Sequence, residues 1–401
     1  MKLAVDLHLH SHHAGGVSPE MTLPNLIMTA QQKGMDVLAT GDCLQADWLK
    51  EIEIHLYEIG SGFLQPRTET YDLSRETLPL HLHRPVRFVL STEVCCAPRG
   101  TKRLHGLHHL LYFRSIESVR RFREKLRGHG DLKDGRPTLN LTSRRLLEMV
   151  REHGDGCELV PAHVLSPWYS SLGSTSGEKT LEAVFGDNAR NLLAVEVGVP
   201  ATPKMCRRIS ALDQHTLICS SDAHSLENVG REYTLLDIEP NYDALTSALR
   251  DRTGCKLVGF VKFPVARTGY YYRFCGVCQK SQPGTVCPTC GLPLPNGTYH
   301  RTEEIADRPE PLTGPRTPPY TELLPLDHLL SLSLGFGQKT DRVSTTYERH
   351  LHAIGHQRYI LTEAPLEELR NATTYELAQI IVAQRNGAPP FGPPEQLALG
   401  F

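Results

Sequence analysis

The chain has 401 residues, with 43 lysines and arginines against 45 aspartates and glutamates and a formal net charge of −2. That length exceeds one ordinary core and predicts two or three domains, although a barrel can run to about 250 residues as one unit; near-neutrality excludes capture of an anionic partner by the field of the whole molecule, so such a partner needs a local basic patch. The 11 cysteines of so long a chain are not a secreted disulfide framework, no apolar run approaches the roughly 20 residues of a membrane span, and the first strand follows no signal segment, so a soluble cytoplasmic protein is expected.

Residues 3–10 read as a buried strand carrying Asp6, His8 and His10, and 24–33 as a helix. A second strand over 37–42 ends at Asp42. The stretch 51–87 is less regular and reads as an insertion near the ligand face. A strand over 88–93 ends at Glu93, helices follow at 116–127 and 144–153, and a strand over 159–163 ends at His163. Residues 192–197 contain Glu196, 217–224 end in Asp222-Ala223-His224, and 241–250 form the last helix of this part. Strand and helix in alternation predict a parallel sheet or barrel with right-handed crossovers. Parallel strands are buried on both faces and open at their carboxyl ends onto a ligand cleft. From 256 to 319 the composition shifts to Gly, Pro, Cys and Tyr, with a Pro-rich linker over 308–319. Beyond it, 323–334, 343–354, 363–370 and 375–385 carry helical periodicity, and 387–401 read as a loose tail. The expected division is a barrel over 1–255, a Cys-rich segment over 256–310, and a linker with a helical region over 311–401.

Five of the apolar runs in the first 225 residues end in a metal-ligand side chain. His8 and His10 lie two apart on a strand, so both imidazoles leave one face, which Asp6 shares. Asp222 and His224 repeat the geometry, and Glu93 and His163 add two further ligands, one of them a carboxylate able to bridge two cations. Mixed His, Asp and Glu ligation suits zinc, manganese or iron better than calcium. Two such ions clamp a scissile phosphate and make water nucleophilic near neutral pH. Glu196 is expected either to orient a ligand histidine or to form a salt bridge at the barrel rim.

Cys275 and Cys278, then Cys287 and Cys290, form two CxxC pairs separated by eight residues. Four thiolates at this spacing predict one closed structural zinc site, in a segment too poor in apolar side chains to fold without metal. Lys256, Lys262, Arg267, Arg273, Lys280 and Arg301 surround it, with Tyr270, Tyr271, Tyr272, Phe274 and Tyr299 between them. That mixture suits a phosphate backbone and unstacked bases, or else a solvated face over a small aromatic core. Trp168 and Tyr169 follow the ligand His163 and either wall a base pocket or pack the barrel rim. Arg231 is placed to stabilise phosphate charge or to pair with a nearby acid.

The motifs Asp-Leu-His-Leu-His-Ser at 6–11, Thr-Gly-Asp at 40–42, Glu93, the His108-His109 strand, Ala-His at 162–163 and Ser-Asp-Ala-His at 221–224 resemble the PHP (polymerase and histidinol phosphatase) superfamily. The resemblance implies a distorted seven-stranded β/α barrel over about the first 250 residues and a phosphoesterase site with two or three divalent ions, zinc, manganese or magnesium. It implies His8, His10, Asp42, Glu93, one of His108 and His109 with His108 preferred, His163, Asp222 and His224 as ligands; Asp222 and, from its place after His224, Arg231 are expected to act in catalysis. Two positions that hold third-metal histidines in trinuclear members are Gly16 and Cys43 here; Asp42 and His224, assisted by His12 or His13, remain for a third ion.

Adding the run 161–177, Gly-Arg-Pro at 135–137, Gly-Arg-Glu at 230–232, the four cysteines and residues 303–308, nearly the whole chain resembles the endonuclease Q family. That resemblance implies a nucleoid-associated DNA-repair endonuclease cutting on the 5′ side of uracil, hypoxanthine, xanthine or abasic sites. Double-stranded DNA is the expected partner, with Trp168, Tyr169, Tyr270, Tyr271 and Arg273 on the lesion, and the helical region is expected to meet DNA or a repair or replication protein. A small-molecule phosphatase of the histidinol-phosphatase type and a non-catalytic scaffold are the competing readings.

Overall fold

The computed structural model describes residues 1–100, 106–251, 253–278, 280–282 and 284–388. The tail expected over 387–401 falls, from residue 389 onward, outside them.

Seven strands form a ring: β1 (Lys2–Asp6), β2 (Val37–Ala39), β3 (Arg87–Cys96), β4 (Leu107–Phe113), β5 (Glu158–Pro161), β6 (Val195–Glu196) and β7 (Leu217–Ile218). β1, β2 and β3 pair in parallel, as do β6 and β7. A few isolated backbone contacts close the two gaps. Leu193 N donates to Leu159 O at 3.0 Å and Val164 N to Glu196 O at 2.9 Å, joining β5 to β6, while the parallel bridge Leu9–Ala223 returns β7 to β1. The result is a distorted β/α barrel. Apart from Lys2 and Arg87, which begin their strands, the strand residues are buried, as strands of a helix-covered barrel must be.

One strand departs from the expected parallel arrangement. β4 runs antiparallel to both β3 and β5, because the link from Cys96 to Leu107 is shorter than the dozen or so residues a parallel crossover needs. The region expected to be irregular over 51–87 contains the helices Ala46–His55 and Thr68–Thr77 and a hairpin of Leu56–Glu58 with Leu64–Pro66. Beyond the ring, β8 (Tyr233–Asp237) pairs antiparallel with β1, β9 (Leu257–Lys262) with β8, and β10 (Tyr320–Glu322) lies parallel to β9. The sheet therefore reaches into both later segments.

The helix expected at 363–370 is found at Leu366–Ala372, and a further helix, Gln357–Thr362, precedes it; Pro365, at the N-cap of the second, lacks the N–H that continuing the first would require. Leu326, Leu329, Ile360 and Ile381 of the helical region share one core with Leu26 and Val37 of the barrel. Lys33 Nζ donates to Gln357 Oε1 at 3.4 Å across the junction. Much of the apolar surface of the helical region, expected to meet DNA or a protein partner, is buried against the barrel, while Leu332, Phe336 and Tyr375 stay exposed. The Cys-rich segment has its own small core of Cys275, Cys287 and Leu294. Among the described residues no helix is long and apolar enough to cross a membrane.

Two of the basic residues expected on the nucleic-acid face are internal. Arg301 is 2 % exposed and donates to Leu172 O and Glu178 O. Lys262 is fully buried, with Nζ 2.5 Å from Glu232 Oε2 and 2.9 Å from Gly198 O. Burial raises the Glu232 carboxyl to about 7 even though Lys262 pulls it down. Removing one partner of such a pair leaves an uncompensated buried charge, whereas replacing both need not destabilise. Lys262→Met is therefore expected to lose about 3–5 kcal/mol in urea unfolding, and Lys262→Met with Glu232→Leu to recover most of it.

Candidate metal centre

The strand ends deliver their side chains to one mouth. His8 and His10 extend from β1, and the Nε2 atoms of both lie within 3.5 Å of Asp222 Oδ1. Glu93, on β3, faces two groups at once. Its Oε2 is 3.4 Å from His10 Nε2, while Oε1 is 3.0 Å from His108 Nδ1, 3.1 Å from His163 Nε2 and 3.7 Å from His8 Nε2. One carboxylate thus joins a His8, His10, Asp222 group to a His108, His163 group.

His108 and His109 point to opposite faces of β4, as strand period requires. His109 Nε2 meets Ser143 Oγ at 2.7 Å and its ring packs on Phe185, so the second alternative faces away from the cluster. His224 stands at the outer edge, its ring 4.7 Å from that of His10 and its Nδ1 on Asp222 O.

Asp42 lies behind His10 and has both oxygens engaged there. Oδ1 is 3.0 Å from His10 Nδ1, and Oδ2 accepts Ser11 N and Ser11 Oγ at 2.6 and 2.7 Å. It is set to orient an imidazole, where ligation of a third ion was expected. Glu196 does the same for His8, whose Nδ1 is 3.0 Å from each of its oxygens, and also accepts His163 N at 2.7 Å. Such carboxylates fix which ring nitrogen is presented. Asp6 accepts Ser221 N and Gly230 N at 2.9 Å each, clamping the loop that carries Asp222. His12 and His13 turn to Glu51, with His13 Nε2 2.8 Å from Oε1.

Arg231 donates to Ser221 O at 2.9 Å and so braces the backbone beside Asp222. Arg136 is the arginine that reaches the ligands, with Nη1 3.5 Å from Glu93 Oε2. Its only sequence signal was the Gly-Arg-Pro run at 135–137, which identified a family without indicating a site.

Backbone strain collects here. Asp42, His163, Tyr169 and Asp222 are four of the five non-glycine residues with positive φ among those described, and such conformations persist where surrounding contacts over-determine them. Two glycines permit the close approach. A Cβ on Gly41 would stand 2.4 Å from Leu9 O, and one on Gly198 would stand 2.6 Å from the His163 Cβ.

Electrostatics identify what the cluster is suited to hold. Burial opposes charge on His8, but Glu196, Asp222 and Glu93 outweigh it and raise its pKa to about 9. Burial likewise opposes ionisation of Glu93, yet His108 and His8 hold it well below the carboxylate range. His108 and His224 are shifted down by burial, toward the neutral form that ligates. His8 Nε2, His10 Nε2 and Asp222 Oδ1 are buried without a hydrogen-bond partner. Orphaned lone pairs of two imidazoles beside buried carboxylates fit a divalent cation of the zinc or manganese kind.

The loop beyond His163 ties this mouth to the Cys-rich segment. Thr298 Oγ1 donates to Leu165 O at 3.3 Å and Ser174 Oγ to Asn296 O at 2.8 Å. Trp168 lies edge-on to Tyr270 at 5.1 Å, and Tyr169, 40 % exposed, stacks on His108 at 4.6 Å. Tyr271 packs on Tyr272 and Tyr299, and Arg273 Nε donates to Asn296 Oδ1 at 3.2 Å. Cys275 and Cys290 Sγ are 3.5 Å apart, and Cys287 and Cys278 Sγ are 3.8 Å apart. Tetrahedral zinc with bonds of about 2.3 Å has sulfur edges of about 3.8 Å, so the four thiols fit that ion.

Comparison with known proteins follows the same outline. Residues 211–253 match the PHP-associated family. A lesion-specific endonuclease from Pyrococcus furiosus, an endonuclease Q, superposes with a TM-score of 0.81 at 28 % identity, covering 96 % of this chain and 91 % of that one. The chain carries the endonuclease Q architecture. An endonuclease Q complexed with a 27-mer duplex substrate, with an abasic lesion at the active site, superposes at 0.83 and 28 % identity, covering 96 % and 92 %. The uncharacterized protein YqxK of Bacillus subtilis is 25 % identical across 96 % of this chain and 95 % of its own length. The endonuclease Q architecture here spans barrel, four-cysteine ribbon and helical region together.

Because the carboxylates hold His8 protonated below about 9 in the metal-free state, a cation must displace that proton to bind. Calorimetry of zinc binding to metal-stripped protein, in buffers of different ionisation enthalpy, is expected to show proton release at pH 7, with affinity rising with pH and levelling above about 9.

Proposed function

We propose that this protein is a metal-dependent DNA-repair endonuclease that hydrolyses a phosphodiester of duplex DNA on the 5′ side of a deaminated base, uracil, hypoxanthine or xanthine, or of an abasic site. The observation that carries the reading is Glu93 shared between two histidine groups at the barrel mouth, in a chain that superposes over nearly its whole length on an endonuclease bound to lesion-bearing duplex. His8, His10, Asp222 and Glu93 would hold one divalent cation, and Glu93, His108 and His163 a second. When bound, the pair supplies Lewis acidity at a phosphoryl oxygen and a water nucleophilic near neutral pH.

The chain's own residues set the rest. Asp42 and Glu196 orient His10 and His8. Arg136, beside Glu93, is placed to meet charge developing on the phosphate, a role expected of Arg231, which instead holds the Ser221 carbonyl. Tyr169, stacked on His108 and partly exposed, offers a π-face to a base or to the gap it leaves. A deaminated or missing base lowers the few kcal/mol that extrusion costs. Tyr270 and Tyr272 expose further aromatic surface on the ribbon side, suited to unstacked bases and the strand beside them. A phosphomonoesterase has no use for a ribbon strapped to the loop beyond His163.

End-labelled duplexes bearing uracil, hypoxanthine, an abasic site or no lesion test the reading, with magnesium, manganese or zinc supplied and cut positions mapped. A nick 5′ to the lesion is expected, lost in Asp222→Asn with duplex binding retained, and slowed about 10²–10³-fold in Arg136→Ala. Equal cutting of undamaged duplex, or turnover of phosphate monoesters alone, contradicts it.

A further inference from the structure

A second set of ligating side chains lies outside the barrel centre and the ribbon. His12, His13 and Glu51 bring two imidazoles and a carboxylate together, their ligand atoms mutually within 4.8 Å. Glu51 Oε1 is 2.8 Å from His13 Nε2 and 3.5 Å from His12 Nε2. His12 Nδ1 faces Met21 O at 3.3 Å, a contact that suits the tautomer in which Nε2 is the nitrogen available to a cation. The three side chains are between 21 % and 30 % exposed. Both rings lean on the buried Trp48, with centroids at 5.6 and 6.0 Å.

We infer that His12, His13 and Glu51 form a rim site for a borderline divalent cation of the zinc or nickel kind. Two imidazoles and one carboxylate suit such an ion better than magnesium or calcium, and the partial exposure leaves coordination positions open to water or an anionic oxygen. The site is separate from the Glu93 cluster but adjoins it. His13 N donates to Ser11 Oγ at 3.2 Å, Ser11 Oγ donates to Asp42 Oδ2, and Asp42 holds His10. On the other side Gly135 N donates to His13 O at 3.0 Å, next to Arg136. A cation here stands beside the loop that aims Arg136 at the centre.

Trp48 supplies a readout independent of catalysis. In full-length Trp168→Phe protein it is the sole tryptophan, since the chain has two. Protein of this background holding three zinc ions per chain, two for the barrel centre and one for the ribbon, is titrated with nickel, a paramagnetic quencher. A saturable fluorescence quench at one nickel per chain is expected, lost in His13→Ala and weakened in the near-isosteric Glu51→Gln. It is expected to persist in Asp222→Asn, which removes a ligand charge from the barrel centre. No saturable quench overturns the site, as does a quench that survives both His13→Ala and Glu51→Gln or one that disappears only with Asp222→Asn.

Discussion

The carboxylate of Glu93 is the constraint around which the barrel mouth is arranged. It is almost fully buried and has four imidazole nitrogens within 3.7 Å. Unpaired negative charge is costly in such a place, and the interaction that relieves it decides the state of the site. Without cations, His8 and His10 are driven toward the protonated form; with them, the same lone pairs ligate. Asp42 and Glu196, behind the two histidines, keep the rings turned inward in either state.

The remaining structure serves to hold these groups in register. Positive-φ backbone at Asp42, His163 and Asp222 lets each strand turn sharply at the residue it delivers to the site. Asp6 fixes the loop of Asp222 from below, and Arg231 fixes the same loop from the side. The segment after His163 is hydrogen-bonded to residues 296–298, so the ribbon and its aromatics are mechanically continuous with a ligand-bearing loop. The helical region closes the far side by packing on helix Leu23–Lys33.

Much of this arrangement is legible in the chain because strand period is rigid. Two residues apart in the extended chain leaving β1 puts His8 and His10 on one face, and apolar runs ending in Glu93 and His163 deliver both to the same rim. Strand period says that only one of His108 and His109 faces the centre; beyond the preference for His108 the apolar run gives no cue, because β4 runs backwards and presents its ligand at the start of the strand. Asp42 reads as a ligand by type, and only the hydrogen bonds of its two oxygens reveal it behind His10. Arg136 and Arg231 each stand in a short Gly-Arg motif, and nothing local says which guanidinium faces the centre. The buried Lys262 and Arg301 look like surface charge until their partners, far away in sequence, are seen. The convergence of His12 and His13 with Glu51 depends on the helix Ala46–His55, which the irregular composition concealed.

Magnetic coupling is the most direct test of two cations sharing Glu93. Metal-stripped barrel sites are reloaded with manganese while the ribbon keeps its zinc, and the electron paramagnetic resonance spectrum is recorded. Two ions about 3.5–4 Å apart are expected to give an exchange-coupled spectrum that collapses in Glu93→Gln. Signals of magnetically isolated manganese alone, unchanged by that substitution, contradict a shared centre.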